Sequence, residues 1–417
     1  MKNDVLTGLS REKLAQLCRE YMLAAQFNSR TGYAALRINH GDEAYKDIAI
    51  DNWMAASPVY TRRMQAAMGL RCGSDIETIL KGLQLECGLS HQYFDARFRM
   101  ASPEEGHFWL QSCGPLLETE PRGEAAVRLM CHDIEDPTFD ATAVATNPRA
   151  RVRPIHRPPR MPADREPHCH WRVVIEEDAE PVVERDITRV MSDTVLANIE
   201  IIRPDNAEPG GLDRYDGPLF EHMKLERFSH SALVVIAKEL AVQIHLLVNS
   251  LDLVVSERYG DAAARAVAEF QMAGSGWVVS ERLCRWLGLE GGGIDAIIGV
   301  LGVHPAFQPE EYFSMEVTRT SADKARIKIG QCPAASEQRP RGWFPLLLAN
   351  EASGLEALVQ GVDPLARLVS VPGDKMAWDV EIQELPAEAP MAVQIARGTV
   401  LYTTTLENHI QLLEVSD

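Results

Sequence analysis

The chain lacks most of the short signatures from which function is read in a sequence. It has no glycine-rich dinucleotide or phosphate loop, no HExxH and no GxSxG, so nucleotide cofactors, zincin proteolysis and serine hydrolysis have no support. Its eight cysteines, at positions 18, 72, 87, 113, 131, 169, 284 and 332, are scattered and form no CxxC pair, which fits free thiols rather than a disulfide framework. No run of about 18 apolar residues passes uninterrupted, and the N-terminal MKNDVLTGLSREK has no apolar stretch of the signal-peptide kind. A cytoplasmic protein without a membrane span is expected. Positive charge is also in deficit. With 42 Lys and Arg against 60 Asp and Glu, the net charge is −18, which argues against nucleic acid or an anionic membrane as partner.

What the chain does have is a long internal repeat. Residue n lies over residue n+219 for more than a hundred positions without a gap, from Leu9/Phe228 and Ser10/Ser229 through Gly41/Gly260 and Gly69/Gly288 to Cys113/Cys332. The second copy then loses residues, since Trp171 lies over Trp378 and Ile199 over Ile410. Glycines and a cysteine held in one register, with a tryptophan pair following at a shorter offset, are not produced by chance similarity of amphipathic helices, and a period this long means duplicated domains rather than a solenoid. Residues 1–204 form the first repeat and 226–417 the second, with 205–225 as linker and the two related by a pseudo-twofold axis.

Each copy predicts the same order of elements. A helix capped by Ser10 or Ser229 runs to about Arg37 or Val255. Gly41-Asp42 or Gly260-Asp261 breaks it, a second helix follows, and a third ends at Gly69 or Gly288. A short fourth helix starts at Asp75 or Asp295. Alternating stretches at 93–98 and 107–111 then read as antiparallel strands. Helices followed by strands make the fold class α+β. The stretch Asn147–Pro167, rich in proline and arginine, reads as a loop or irregular hairpin, and Pro204–Pro218 as the connection between copies. Trp53, Met54, Tyr60, Met64 and Met68 read as core.

The candidate chemistry lies in the first copy. Cys113, Cys131 and Cys169 fall at strand-like positions, with His132 and Asp133 beside one and His168 and His170 beside another. Thiolates with imidazole suit zinc first, then iron or manganese, while the same groups without metal suit a cysteine nucleophile with a histidine base. In the metal version Cys113, Cys131 and Cys169 hold the ion with one of His132, His168 or His170, His168 being the first choice. In the thiol version His132 or His170 is the base and Asp133 orients it. The second copy keeps Cys332 opposite Cys113 but has Asn350 and Met376 in place of the other two thiols, and Glu351 and Ala352 in place of His132 and Asp133. That is the pattern of a decayed site in a retained fold. The plain alternative is that these cysteines are small core residues. Arg149, Arg151, Arg153 and Arg157, with Arg160 and Arg165, form the only basic concentration and suit a small anionic substrate. A solvated loop paired with the protein's own acids is the competing account. Arg30, Arg37 and His40 either line a pocket mouth or lie on a surface helix face.

The order of Cys113 ending an aromatic-rich strand, Cys131 followed two residues on by Asp133, and Cys169 followed by Trp171 resembles the L-2-amino-thiazoline-4-carboxylic acid hydrolase family. It also resembles the related four-vinyl-reductase-type domains. The resemblance spans about residues 9–202, and the arginine-rich insertion with His168 and His170 departs from its pattern. It implies a TRAPP-like fold of helices on an antiparallel sheet, here in tandem, and a hydrolase that opens a C–N or C–S bond in a small cyclic substrate. A lyase using the same site, or a non-catalytic domain binding a small ligand or structural zinc, stands as the alternative.

Overall fold

A computed structural model describes residues 4–70, 74–176, 178–205, 210–347 and 353–414, with the backbone alone from 404 onward. The first half contains α1 (Arg11–Ala67), α2 (Ile76–Gln84), β1 (Phe94–Ser102), β2 (Glu105–Cys113), α3 (Gly114–Thr119), α4 (Glu124–Arg128), a π-helical turn at Leu129–Ile134 and α5 (Glu135–Val144). It continues with β3 (Ala150–His156), β4 (Cys169–Ile175), α6 (Asp186–Ser192) and α7 (Val195–Asn198). The second half contains α8 (His230–Tyr259), α9 (Asp261–Leu287), α10 (Gly293–Val303), β5 (Met315–Arg319), β6 (Lys324–Ile329), α11 (Trp343–Leu347), α12 (Ser353–Val362), β7 (Ala366–Ser370), β8 (Ala377–Ile382) and α13 (Met391–Glu414). The protein is α+β, with two four-stranded antiparallel sheets of the same order, β1-β2-β4-β3 and β5-β6-β8-β7.

Local sequence explains where the helices start and bend. The Ser10 hydroxyl accepts from the Lys13 N–H and the Ser229 hydroxyl from the Ala232 N–H, each at 3.2 Å, which satisfies one of the four orphan donors at each helix start. Gly41 and Gly260 sit at φ 83° and 84°, a backbone region closed to most side chains, and both bend the chain sharply. Beyond that bend the expected second and third helices are one, in each half. In α1 this continuity runs through Pro58, which has no N–H to offer the carbonyl of Met54. The Thr188 hydroxyl donates to that carbonyl instead, at 2.9 Å, so a residue of α6 repairs the ladder.

The sheet registers agree across the repeat. Trp171 pairs with Phe108 on β2, and Trp378 pairs with Ile327, the residue 219 beyond Phe108, on β6. Phe108, Leu110, Trp171 and Val173 point inward and pack with α2 and α5 to make a core behind the first sheet. At Gly106 a Cβ would stand 2.5 Å from Ile76 Cγ2; α2 therefore lies directly on β2 because that position has no side chain.

The largest core is shared by the two halves, and the contacts across it come in reciprocal pairs spaced by 219. Arg63 donates to both Glu239 carboxylate oxygens at 3.0 and 2.7 Å, and Arg282 donates to both of Glu20 at 2.7 and 2.9 Å. Arg11 Nε donates to the Phe228 carbonyl at 2.7 Å, and His230 Nε2 to that of Leu9 at 2.8 Å. Asn52 donates to the Leu247 carbonyl at 2.9 Å, and Gln271 to that of Asn28 at 3.1 Å. Contacts that swap partners in this way are what a twofold relation between the halves requires. The side chain of Ile410, expected over Ile199, lies outside the described residues, as do Asn350, Glu351 and Ala352.

The irregular hairpin expected over Asn147–Pro167 is present: Ala150–His156 is the edge strand β3, hydrogen-bonded to β4 with a register shift between Pro154 and His156, and Arg149 and Arg157 lie just outside it. The stretch before residue 225 is no free linker. Tyr215 is fully buried, its N–H bonds to the Met68 carbonyl at 3.0 Å, and its hydroxyl donates to Gln84 at 2.6 Å. Finally, α8 is long and apolar enough to cross a membrane by length and composition, but 94% of its apolar window is buried in the protein, so its hydrophobicity is that of a central core helix. Of the residues read as core, Tyr60, Met64 and Met68 are buried, whereas Trp53 and Met54 are half-buried.

Candidate functional site

Cys113 ends β2 and Cys169 begins β4 on the neighbouring strand, opposite Leu110. Both point inward. Cys131 lies in the π-helical turn, not on a strand, and joins them in the core behind the sheet. All three thiols thus belong to one core cluster. Burial raises all three pKa values, and mutual repulsion with Glu135 adds to it, so that Cys169 is pushed up to about 12 and the other two well above the ordinary thiol value. A thiol must lose its proton to act as nucleophile or metal ligand, and burial opposes that loss.

The histidines and Asp133 are placed apart from the thiols. His170 follows Cys169 directly on β4, and successive strand residues face opposite sides; it lies on the outer face, where its Nε2 is 2.9 Å from His107 Nδ1. His168 Nδ1 accepts from the Cys113 N–H at 3.1 Å while its Nε2 faces the Arg160 guanidinium at 3.3 Å, so both nitrogens are engaged. Burial and then Arg160 lower its pKa, keeping it neutral. His132 Nε2 donates to the Pro158 carbonyl at 2.6 Å, and Asp133 is exposed. Among the described residues no group of three or more His, Cys, Asp or Glu side chains is arranged to hold a metal ion. Arg153 pairs with Asp140, Arg157 with Asp136 and Arg160 with Glu120. Arg149 donates to the Ala179 carbonyl and Arg151 to that of Glu180.

A different constellation occupies a cavity between α1, α5 and the first sheet. Its inner part, about 120 Å³, is lined by Arg30, Tyr33, Tyr45, Glu86, Glu135 and Phe139 among others. Arg30, Tyr33, Tyr45 and Met130 also line an outer vestibule of about 360 Å³, which Glu118, Arg37 and the α13 residues Thr399 and Tyr402 complete. None of the three thiols reaches either lining. Arg30 and Arg37 do line a pocket mouth, while His40 stacks on Tyr259 with ring centroids 4.0 Å apart.

The electrostatics of this cavity are unusual. The Arg30 guanidinium lies 3.5 Å from the Glu118 carboxylate and 5.9 Å from the Tyr93 ring centroid. Burial works against its charge, but Tyr93 and Glu118 hold its pKa above the ordinary arginine value. Burial raises Glu86 to about 8. Burial, reinforced by Asp136 and opposed by Arg157 and Arg30, raises Glu135 to about 8 as well. Two carboxyl groups are thus mostly neutral at pH 7 beside a buried cation. Glu86 Oε2 is buried without a hydrogen-bond partner, although such groups normally have one, and Arg30 Nε faces Glu118 at 3.5 Å, a long ion pair.

The second half shows what the same fold does without this site. Arg30 is replaced by Asn249, Tyr33 by Asp252, Tyr45 by Ala264 and Glu86 by Pro305, while Tyr93 and Glu118 persist as Tyr312 and Glu337. There Tyr312 donates to Glu337 at 3.3 Å, and Glu337 accepts the Val195 and Leu196 N–H groups of α7, each at 2.9 Å. Compared with protein-family models, curated proteins and solved structures, the chain matches none. The cavity residues were nevertheless detectable, because the offset of 219 aligns Arg30 with Asn249 and Glu86 with Pro305. A cation and an acid lost together is the same signal that drew the cysteines out.

One expectation follows for the thiols. All seven described cysteines are free and buried, so the native protein should leave them unmodified by a water-soluble disulfide reagent that labels every cysteine in denaturant. Rapid native labelling of Cys131 or Cys169, mapped by mass spectrometry, would show that the inner core opens.

Proposed function

We propose that the first half binds a small anionic, ring-containing molecule in the Arg30 cavity and hydrolyses a C–N or C–S bond in it by acid–base chemistry. The observation that carries this reading is the convergence, in one cavity, of a buried guanidinium facing the Glu118 carboxylate with two neutral carboxylic acids. Arg30 pairs with the substrate anion, which gives up its hydration only where paired donors replace it. Glu135, protonated at neutral pH, donates to the departing nitrogen or sulfur. Glu86, once ionised, takes a proton from the attacking water. Carboxyl groups with pKa values near the working pH suit both tasks. The apolar walls from Phe139, Leu110 and Trp53 exclude bulk water and suit a small ring. Hydrolase chemistry agrees with the implied family, and the helices-then-sheet order of each half supports a TRAPP-like reading, with fusion of an ancestral dimer accounting for the reciprocal contacts. The thiols then serve as neutral packing behind the cavity.

The test is ring opening, read as the mass gain of one water, across a panel of small heterocyclic carboxylates. Glu135→Gln is expected to lower kcat roughly 10²- to 10⁴-fold with KM little changed, and Arg30→Met to raise KM. Full turnover by Glu135→Gln and Glu86→Gln would defeat the acid–base reading. Saturable binding of a carboxylate that depends on Arg30, without turnover of any panel member, would identify the cavity as a ligand-binding site instead.

A further inference from the structure

The outer face of the first sheet, on the far side from the cavity, differs from its counterpart in a way that folding alone does not require. On the second sheet the solvent face is a mosaic of compensated charges: Arg326 pairs with Asp379 at 2.8 Å, Lys324 with Glu381 at 2.8 Å and Lys328 with Asp374 at 3.4 Å. On the first sheet the positions of Lys328, Arg326 and Asp379 are held by Trp109, His107 and Arg172. Directly opposed residues across β2, β4 and β3 are then His107, Arg172 and Arg153. Like charges opposite one another across strands repel; Arg153 is compensated by Asp140 and His107 lies 2.7 Å from Glu105, which leaves Arg172 as the member of the row without a carboxylate partner among the described residues.

Aromatic rings cluster beside this row. Trp109 is directly opposite His170, and His170 opposite His156; their ring centroids lie 5.7 and 6.1 Å apart. Arg99 stands over Trp109 at 5.9 Å. Burial, with His107, His156 and Arg99, lowers His170 to about 4, and burial with Arg165 lowers His156, so these rings are neutral and free to stack at neutral pH. Arg99 and Arg172 are exposed and have no carboxylate partner among the described residues.

We propose that this face binds single-stranded nucleic acid, its bases stacking on the Trp109 and histidine rings and its phosphates lying along Arg99 and Arg172. Stacking platforms of aromatic side chains flanked by arginines bind single strands with little sequence preference, and an antiparallel four-stranded sheet backed by helices presents such a platform. The net charge of −18 concerns the whole chain, whereas a single strand meets only the local field.

Fluorescence anisotropy of fluorescein-labelled U10 and dT10 with the full chain tests this. Saturable binding at 50 mM salt that weakens as salt rises is expected. Trp109→Ala should weaken it roughly 5- to 100-fold, and Arg99→Ala or Arg172→Ala should each reduce the salt slope by about one. Arg326→Ala on the second sheet should change nothing. Should Trp109→Ala fail to fold by circular dichroism, exposed Arg172→Ala carries the test. No saturable binding up to about 1 mM protein, binding indifferent to these substitutions, or tighter binding of a polyglutamate peptide than of U10 would overturn the proposal.

Discussion

Arg63→Ala is expected to destabilise the protein by about 3–5 kcal/mol. Arg63 and Glu239 are 5% and 6% exposed and joined by two hydrogen bonds. Arg63 also donates to the carbonyls of Ala197 and Ile199, at 3.0 and 2.9 Å. Removing the guanidinium leaves a carboxylate buried in the shared core and two carbonyls without donors, and both losses carry the full cost of desolvation. Replacing the pair together, as Arg63→Met with Glu239→Leu, should recover much of the loss, since apolar residues of similar volume substitute well for buried ion pairs. The reciprocal pair Glu20–Arg282 is somewhat more accessible, at 12% and 10%, so Arg282→Ala should cost less. Urea midpoints at constant slope measure all of these. If Arg63→Ala shifted the midpoint no further than an exposed arginine does, the two halves would not depend on this contact.

The second large effect concerns pH. In the unfolded chain Glu86 titrates near 4.5, whereas in the folded protein it is raised to about 8. Between those values the folded state holds a proton that the unfolded state has released, so stability falls as pH rises. The contribution is complete below about 4.5 and lost as pH passes 8. Glu86→Gln, which keeps the shape without the ionisation, should therefore match the wild type at pH 4.5 and exceed it at pH 8. The displacement sets a ceiling of about 5 kcal/mol, and relaxation around the site brings the expected gain to about 2–4 kcal/mol. Glu135, raised for the same reason, should behave alike, and the two would add only in part. Parallel stability curves for wild type and Glu86→Gln across this range would mean that Glu86 ionises freely in the folded state. A gain in stability with loss of turnover would mark a residue kept for function at the expense of the fold.

Much of the framework is legible from local chemistry. Ser10, Ser229, Gly41 and Gly260 act where their side chains, or lack of one, require, and the strand register follows from the tryptophans. What is not legible depends on distant partners. The continuity of α1 through Pro58 rests on a hydroxyl from α6, and no window around residue 58 contains it. The site shows the same division. Adjacent His168, Cys169 and His170 suggest one cluster when read along the chain, yet strand alternation sends Cys169 and His170 to opposite faces. Glu86 and Glu135 carry no local mark, because an acid in sequence is normally solvated and its burial is decided by what folds over it. Arg30 was within reach through helical periodicity, but nothing nearby in sequence separates it from Arg37, whose partner Asp42 is exposed.

The crossing of the C-terminal segments bears on how such a chain can change. In a homodimer every substitution appears twice, so a site cannot lose its cation in one subunit and keep it in the other. Within one continuous chain each copy varies alone. Here α7 of the first half caps Glu337 in the second, while α13 of the second half walls the vestibule of the first. The half without the arginine thus still shapes the first-half cavity, as masonry for its neighbour's chamber. Cutting the chain between the halves would leave the first-half cavity without one of its walls.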